Sequence, residues 1–226
     1  MAKAKAWLSS VTDWIDERTG IMGLIHKEVT TKLVPQHRSW RDYTNCFGGV
    51  SLVFFIFQIV TGLILMVNYV AHPDFAFESV HRIDNSVSYG WLLRRMHAIG
   101  SNFFLLLVFV HMLKVFFTGA YKSPRELHWV SGAVLFLMVM VMCFSGYLLP
   151  WSQLSYWAST VGTAMPGSVP VVGDLMVEFA RGGPGIGLPT LSRFFAVHVC
   201  LLPAIMVGFM VAHFVMIRKT GIAEPL

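Results

Sequence analysis

Charge is absent from long intervals of this chain, and those intervals predict its elements. No Asp, Glu, Lys or Arg occurs between Asp42 and Asp74, Arg95 and Lys114, Glu126 and Asp174, or Arg193 and Arg218. Phe, Leu, Val, Met and Ile dominate each interval, without the period-two alternation of a membrane β-barrel. A helical span needs roughly 20 apolar residues. The third interval is too long for one span, and Pro150, after Ser145-Gly146-Tyr147, divides it. The pattern predicts four transmembrane helices at about 44–69, 90–118, 127–149 and 191–217. The fold class expected is all-α, an integral membrane four-helix bundle.

Outside the spans the pattern changes. Trp7, Leu8, Val11, Trp14 and Ile15 recur at helical spacing beside Asp13, Asp16, Glu17 and Arg18, which predicts an amphipathic helix on the membrane surface. The opening MAKAKAWLSS lacks the apolar core of a signal peptide. The loop from Trp151 to Pro189 is apolar and rich in Gly and Pro, so the membrane interface or a partner subunit must cover it. The division expected is a surface segment over 1–43, the bundle over 44–217 and a tail over 218–226.

Composition agrees. Of 226 residues, 55% are hydrophobic and only 13% charged, and the mean hydropathy is +0.63. A soluble domain carries about a quarter charged residues, and disorder requires low hydrophobicity with high charge, so both are excluded. Four spans put the termini on one side, and that side holds twelve of the seventeen Lys and Arg residues. The termini are therefore expected on the cytoplasmic or equivalent negative side, in a bacterial plasma membrane or a thylakoid-type membrane. The net charge of +5 is mostly this asymmetry and implies no nucleic-acid partner. Tyr43, Tyr69, Trp91, Trp129, Tyr147 and Trp151 near the span ends fit an interfacial belt.

Four of the nine histidines fall inside predicted spans: His97 and His111 in the second, His198 and His213 in the fourth. A lone core histidine is often structural, but an imidazole in hydrocarbon is costly and usually functional. His97 and His111 are fourteen residues apart, close to four helical turns, so they share a face. His198 and His213 are fifteen apart, about 60° from a perfect repeat but on the same side. The second and fourth helices run in the same direction, so His97 meets His198 at one level and His111 meets His213 about 21–22 Å away. Two imidazoles per site suggest haem with both axial positions filled, which favours electron transfer. Zinc would need further ligands, and no Cys or carboxylate lies at the right depth.

Glycine repeats the period. Gly48 and Gly62 in the first helix are fourteen apart, as are Gly132 and Gly146 in the third. Small residues commonly serve helix packing. Two pairs matching the histidine period also fit clearance for a flat macrocycle.

The stretches GWLLRRMHAIGSN, TGAYKSPRELHWVSG, SGYLLPW, TLSRFFAVH and AHFVMIRKTGIAEPL closely resemble the cytochrome b family of quinol-oxidising bc and b6f complexes, in its divided b6 branch. The likeness covers nearly the whole chain. It implies a low-potential haem b on His97 and His198 and a high-potential haem b on His111 and His213. Fifteen residues between the last pair is the b6 spacing. Cys46, in NCFGGVSL, matches the cysteine that makes a single thioether bond to a third, c-type haem beside the inner quinone pocket. Cys143 and Cys200 read as apolar filler, and CxxCH is absent.

The resemblance places Arg94 near the outer haem propionates. Lys114 (where Arg is expected) and Arg125 lie at the inner level, and Arg218 near the inner haem and quinone pocket. Arg95 and Lys122 fit equally well as interfacial cations. Tyr156, Trp157, Ala158, Val161 and Met165 lie in a stretch resembling the helix that lines the outer quinol pocket. Ser152 stands where Asp or Gly is usual in LPWxQ.

The implied role is the electron-transfer subunit of a quinol:cytochrome c or plastocyanin-type oxidoreductase that couples quinol oxidation to proton translocation. It would act within a dimeric complex with subunit IV, a Rieske iron–sulfur protein and a c-type cytochrome, in contact with quinone and lipids. One electron from quinol would go to the Rieske cluster and the other through the two histidine levels to quinone. The chain stops where b6 chains stop, so the remaining half is expected as a separate subunit. Two other readings remain: a di-haem quinone-reducing anchor of a hydrogenase or formate dehydrogenase, and a four-span transporter without haem.

Overall fold

The computed structural model describes Trp7, Ser10, Asp13, Trp14 and residues 44–221. Those four amino-terminal residues are helical, and the rest of the expected surface helix, with the carboxy-terminal tail beyond residue 221, lies outside the described residues. A 3-10 turn over Thr44–Cys46 leads into α1, Phe47–Met66. There follow α2 (Ala76–Ser86), α3 (Gly90–Phe117) and α4 (Glu126–Leu148). Next come α5 (Gln153–Ala164), a 3-10 turn over Met165–Ser168, and α6 (Gly173–Arg181). The last span is α7 (Leu188–Ala196), a π turn over Val197–Leu201, and α8 (Leu202–Thr220). Among the described residues there is no strand, and four helical segments are long and apolar enough to cross a membrane. The all-α membrane bundle expected from the charge pattern is the fold observed.

The spans alternate in direction. The termini of the described bundle and the α3–α4 connection lie at one end, here the terminal end. Helices α2, α5 and α6 lie at the other, the loop-bearing end. Helix α1 packs along α3, α8 along α4, and α3 against α4. The outward faces stay apolar, as at Val53, Leu106 and Leu137, because their surroundings are lipid or neighbouring subunits and not water.

Local sequence explains the turns. Tyr89 takes a left-handed conformation (φ 57°) before α3. A Cβ on the following Gly90 would lie 2.0 Å from the Ile83 carbonyl oxygen, so only glycine allows this entry. Pro150 ends the third span, and Ser152 then caps α5, its Oγ accepting from the Ser155 amide at 3.3 Å. Asp and Gly are also good N-cap residues, so the departure in LPWSQ keeps the capping role. Along α5, Ser155, Ser159 and Thr163 form a buried polar face. Ser159 and Thr163 donate to carbonyls one turn back at 2.8 and 2.6 Å. These small residues bring α5 against the end of α4, where Gly162 abuts the Phe144 ring.

The π turn corrects the register of the last span. Pro203 has no N–H to offer the Val199 carbonyl, and its ring would press on that group in a regular helix. The wider turn accommodates it and takes up one extra residue. The fifteen residues between His198 and His213 thereby become equivalent to fourteen, which removes the angular offset expected of an uninterrupted helix.

A buried cluster of Phe55, Phe104, Val139 and Met206 fills the middle of the bundle, one residue from each span. Phe55 lies midway between Gly48 and Gly62, Phe104 between His97 and His111, and Val139 between Gly132 and Gly146. Met206 takes the same place between His198 and His213 once the π turn is counted. The Phe55 and Phe104 rings stand 6.0 Å apart. A dry apolar layer thus separates the two histidine levels.

Candidate functional site

Each of the four glycines faces a histidine ring across a helix pair. A Cβ on Gly62 would lie 3.1 Å from His97 Cε1, and one on Gly48 would lie 3.2 Å from His111 Cε1. In the other half, a Cβ on Gly146 would stand 2.5 Å from His198 Cε1, and one on Gly132 would stand 3.5 Å from His213 Cε1. The fourteen-residue glycine period therefore mirrors the histidine period because glycine backbone and imidazole are in contact. At the loop-bearing level the His97 and His198 rings stand 6.3 Å apart, nearly perpendicular at 80°.

Hydroxyls set the tautomer of three rings. His97 Nδ1 lies 2.9 Å from Thr61 Oγ1, His198 Nδ1 lies 3.0 Å from Ser145 Oγ, and His213 Nδ1 lies 2.8 Å from Ser131 Oγ. Each hydroxyl spends its single proton on a carbonyl one turn back: Thr61 on Phe57 at 2.8 Å, Ser145 on Met142 at 3.0 Å, and Ser131 on His128 at 3.0 Å. The hydroxyl oxygen can then only accept, so Nδ1 carries the hydrogen and Nε2 keeps its lone pair. That is the form in which a histidine binds metal through Nε2. Each of these hydroxyls immediately precedes one of the glycines, giving Thr61-Gly62, Ser131-Gly132 and Ser145-Gly146. The fourth dipeptide is Phe47-Gly48, and there His111 Nδ1 is buried without a hydrogen-bond partner.

The donor set fits an iron porphyrin. Imidazole nitrogen binds a metal at about 2.0–2.1 Å, so two rings on opposite sides of one ion stand roughly 6 Å apart, close to the separation of His97 and His198. Among the described residues no three His, Cys, Asp or Glu side chains gather into a metal cage, so the ligands available at that level are the two imidazoles.

The other expected residues are placed as follows. Cys46 is exposed and caps α1 at the terminal end, two residues before Gly48. Lys114 donates to Asn45 Oδ1, beside Cys46. Arg94 is paired with Asp84, through Nε at 2.6 Å and through its terminal nitrogen at 2.5 Å, so α2 holds its guanidinium. Arg125 and Arg218 are half-buried at the terminal end. Sequence reasoning missed His128, which lies one helical turn before Gly132. Its Nε2 is 3.0 Å from Thr220 Oγ1, and its ring is 6.4 Å from that of His213.

At the loop-bearing end a cavity of about 560 Å³ is lined by Thr160, Val161, Ala164, Met165, Ser168 and Arg181. It brings together Val161 and Met165 of the expected pocket but not Tyr156 or Ala158. The Tyr156 ring packs edge-on against Trp151 and Trp157 instead. Arg181, far off in sequence, donates to Thr163 Oγ1 at 2.8 Å and to the Thr160 carbonyl at 3.0 Å.

A family model described as cytochrome b/b6/petB matches residues 29–221. The chain belongs to the cytochrome b/b6 family. Cytochrome b6 of Heliobacterium mobile is 44% identical over 214 residues, covering 95% of this chain and all of that protein. Cytochrome b6 of Gloeobacter violaceus is 42% identical over 219 residues, 97% of this chain and all of that protein. A solved structure of a hyperthermophilic respiratory complex III superposes with a TM-score of 0.84 at 34% identity, over 94% of this chain. The chain spans 56% of the length of the matched chain in that structure. Membership makes this a membrane b-type cytochrome of electron transport, a haem protein of the bc-complex class, and sets aside the non-haem transporter and the hydrogenase-type anchor.

Proposed function

We propose that the chain is the haem-bearing half of a divided cytochrome b. In this reading His97 and His198 hold one b haem, His111 and His213 hold a second, and Cys46 carries a third through a single thioether bond. Haem iron supplies reversible one-electron transfer, and two imidazoles on each iron favour that over oxygen chemistry. The residues of the chain hold and insulate. Thr61, Ser145 and Ser131 orient three of the rings and leave Nε2 available for the metal. Gly48, Gly62, Gly132 and Gly146 let the helix backbones approach the rings and leave room for the macrocycle. The Phe55, Phe104, Val139 and Met206 layer excludes water between levels. Lys114, Arg125 and Arg218 offer positive charge to propionates or quinone at the terminal end, and Arg94, held by Asp84, stands at the loop-bearing level.

The loop-bearing cavity binds quinol with its ring against Val161, Ala164 and Met165, while Thr160, Ser168 and Arg181 supply polar edges. Subunit IV and a Rieske protein complete that pocket, and a c-type cytochrome receives the electrons in a dimeric complex that moves protons across the membrane. The basic asymmetry supports termini on the cytoplasmic side.

The 6.3 Å His97–His198 ring pair flanked by Gly62 and Gly146 carries this reading. A pyridine haemochrome assay and reduced-minus-oxidised spectrum of the purified complex test it. Two b haems per chain are expected, with one level lost in His198→Ala and the other in His213→Ala. Absence of a b-type α band would sink the reading. Haem staining of the denatured chain, abolished by Cys46→Ala, tests the third haem separately.

A further inference from the structure

Between α1 and α3, on the outer surface of the bundle, lies a groove of about 400 Å³, within the roughly 300–1,000 Å³ of small-molecule sites. Phe54, Phe57, Met96, Ile99 and Phe103 form its apolar walls. At Gly100 the two helices pack closely: a Cβ there would lie 3.0 Å from the Phe57 ring and closer still to the Gln58 amide. Arg95, near the start of α3 at the loop-bearing end, stands at its wall.

The charge of Arg95 is not matched by protein. Its neighbour Arg94 takes Asp84, whereas the Arg95 guanidinium lies over the Trp91 ring at 5.8 Å. Among the described residues no carboxylate pairs with it. Guanidinium binds phosphate through two parallel hydrogen bonds, and a lone cation at headgroup depth draws an anionic partner. An apolar channel continuing from that cation toward the bilayer centre has the shape of an acyl chain below a charged headgroup.

We propose that this groove is a selective site for an anionic phospholipid, with the phosphate on Arg95 and one acyl chain along Phe54, Phe57, Ile99 and Phe103. The site is separate from both histidine levels and from the cavity at Arg181, and it rests only on the membrane setting of the bundle. It gives the complex a built-in preference for anionic lipid on the outside of the α1–α3 pair.

Photo-crosslinking in nanodiscs tests it. The purified complex is placed in phosphatidylcholine discs containing a trace of phosphatidylglycerol, or of phosphatidylcholine, with the same diazirine acyl chain. The phosphatidylglycerol probe should label peptides containing Phe54, Phe57, Ile99 and Phe103 with roughly fivefold preference, the scale of one basic residue at an anionic surface. Added salt should shrink that preference, and Arg95→Gln should abolish it while Arg95→Lys keeps part. The visible haem spectrum reports whether each variant assembles, and the wild-type probe ratio decides the matter without any variant. Equal labelling by both probes, or unchanged preference in Arg95→Gln, would overturn the proposal. So would absence of labelling by either, which would put a protein neighbour in the groove.

Discussion

The two halves of the bundle do the same thing by different routes. In α1 and α3 the fourteen-residue period runs through unbroken helix, so Gly48 and Gly62 meet His111 and His97 by simple repetition. In the other half α4 keeps the period, but the last span has one residue too many and returns to register through the π turn at Val197–Leu201. What matters is the angle at which each imidazole leaves its helix, and a residue count is only its proxy. The halves differ again in support: Ser131 and Ser145 hold both rings of the second half, whereas Thr61 holds only His97 in the first.

The largest effect should come from deleting one residue from α3, set against the same deletion at the π turn of the last span. Removing Leu106, on the outward face of α3, rotates His111 by about 100° relative to His97. One b haem per chain should disappear from the haemochrome assay. Removing Val199 together with Pro203→Ala only converts the π turn to a regular one and should leave most haem bound. Equal loss in the two variants would refute the account of the π turn.

Glycine-to-alanine changes come next and should be graded by the room available. Gly146→Ala meets His198 at 2.5 Å, Gly62→Ala meets His97 at 3.1 Å, Gly48→Ala meets His111 at 3.2 Å, and Gly132→Ala meets His213 at 3.5 Å. Overpacking of this kind costs about 1–3 kcal/mol, so haem retention on mild denaturation should fall most for Gly146→Ala and hardly at all for Gly132→Ala. A reversed order would mean that the glycines serve something other than the rings they face.

Smaller still, Thr61→Val, Ser131→Ala and Ser145→Ala each remove a hydrogen bond worth about 0.5–1.5 kcal/mol. Each should shift the midpoint potential of its own level in a redox titration without loss of the spectrum. Phe47→Ser should move only the His111 level, by offering that ring a hydroxyl. The least effect is expected from Ser152→Ala, which removes the α5 cap at about 1 kcal/mol. It should be visible as faster proteolysis of the α5–α6 segment, whereas Ser152→Asp should behave like the native chain.

Much of this molecule is legible in its sequence. The charge-free intervals marked the spans within a few residues, and the equal periods singled out four histidines and four glycines. The missed features depend on neighbours. Nothing in Ser145-Gly146 announces that the hydroxyl will hold the His198 ring, since the two are 53 residues apart in the chain. Arg181 is remote from Thr160 and Thr163 until α6 folds back on α5. The heptad spacing that puts Phe55, Phe104, Val139 and Met206 midway between the sites was present in the sequence. Its signal is lost among spans that are apolar throughout.

Sequence alone determined the membrane class, the number of spans and the depth of each histidine. Transfer into hydrocarbon and rise along a helix are properties of a segment, which need no partner to evaluate. Tertiary structure decided which ring meets which glycine, which nitrogen is left for metal, how an extra residue is absorbed, and that Arg94 is paired where Arg95 is not. Those depend on contacts between helices, where a few tenths of an ångström or one hydroxyl proton changes the outcome.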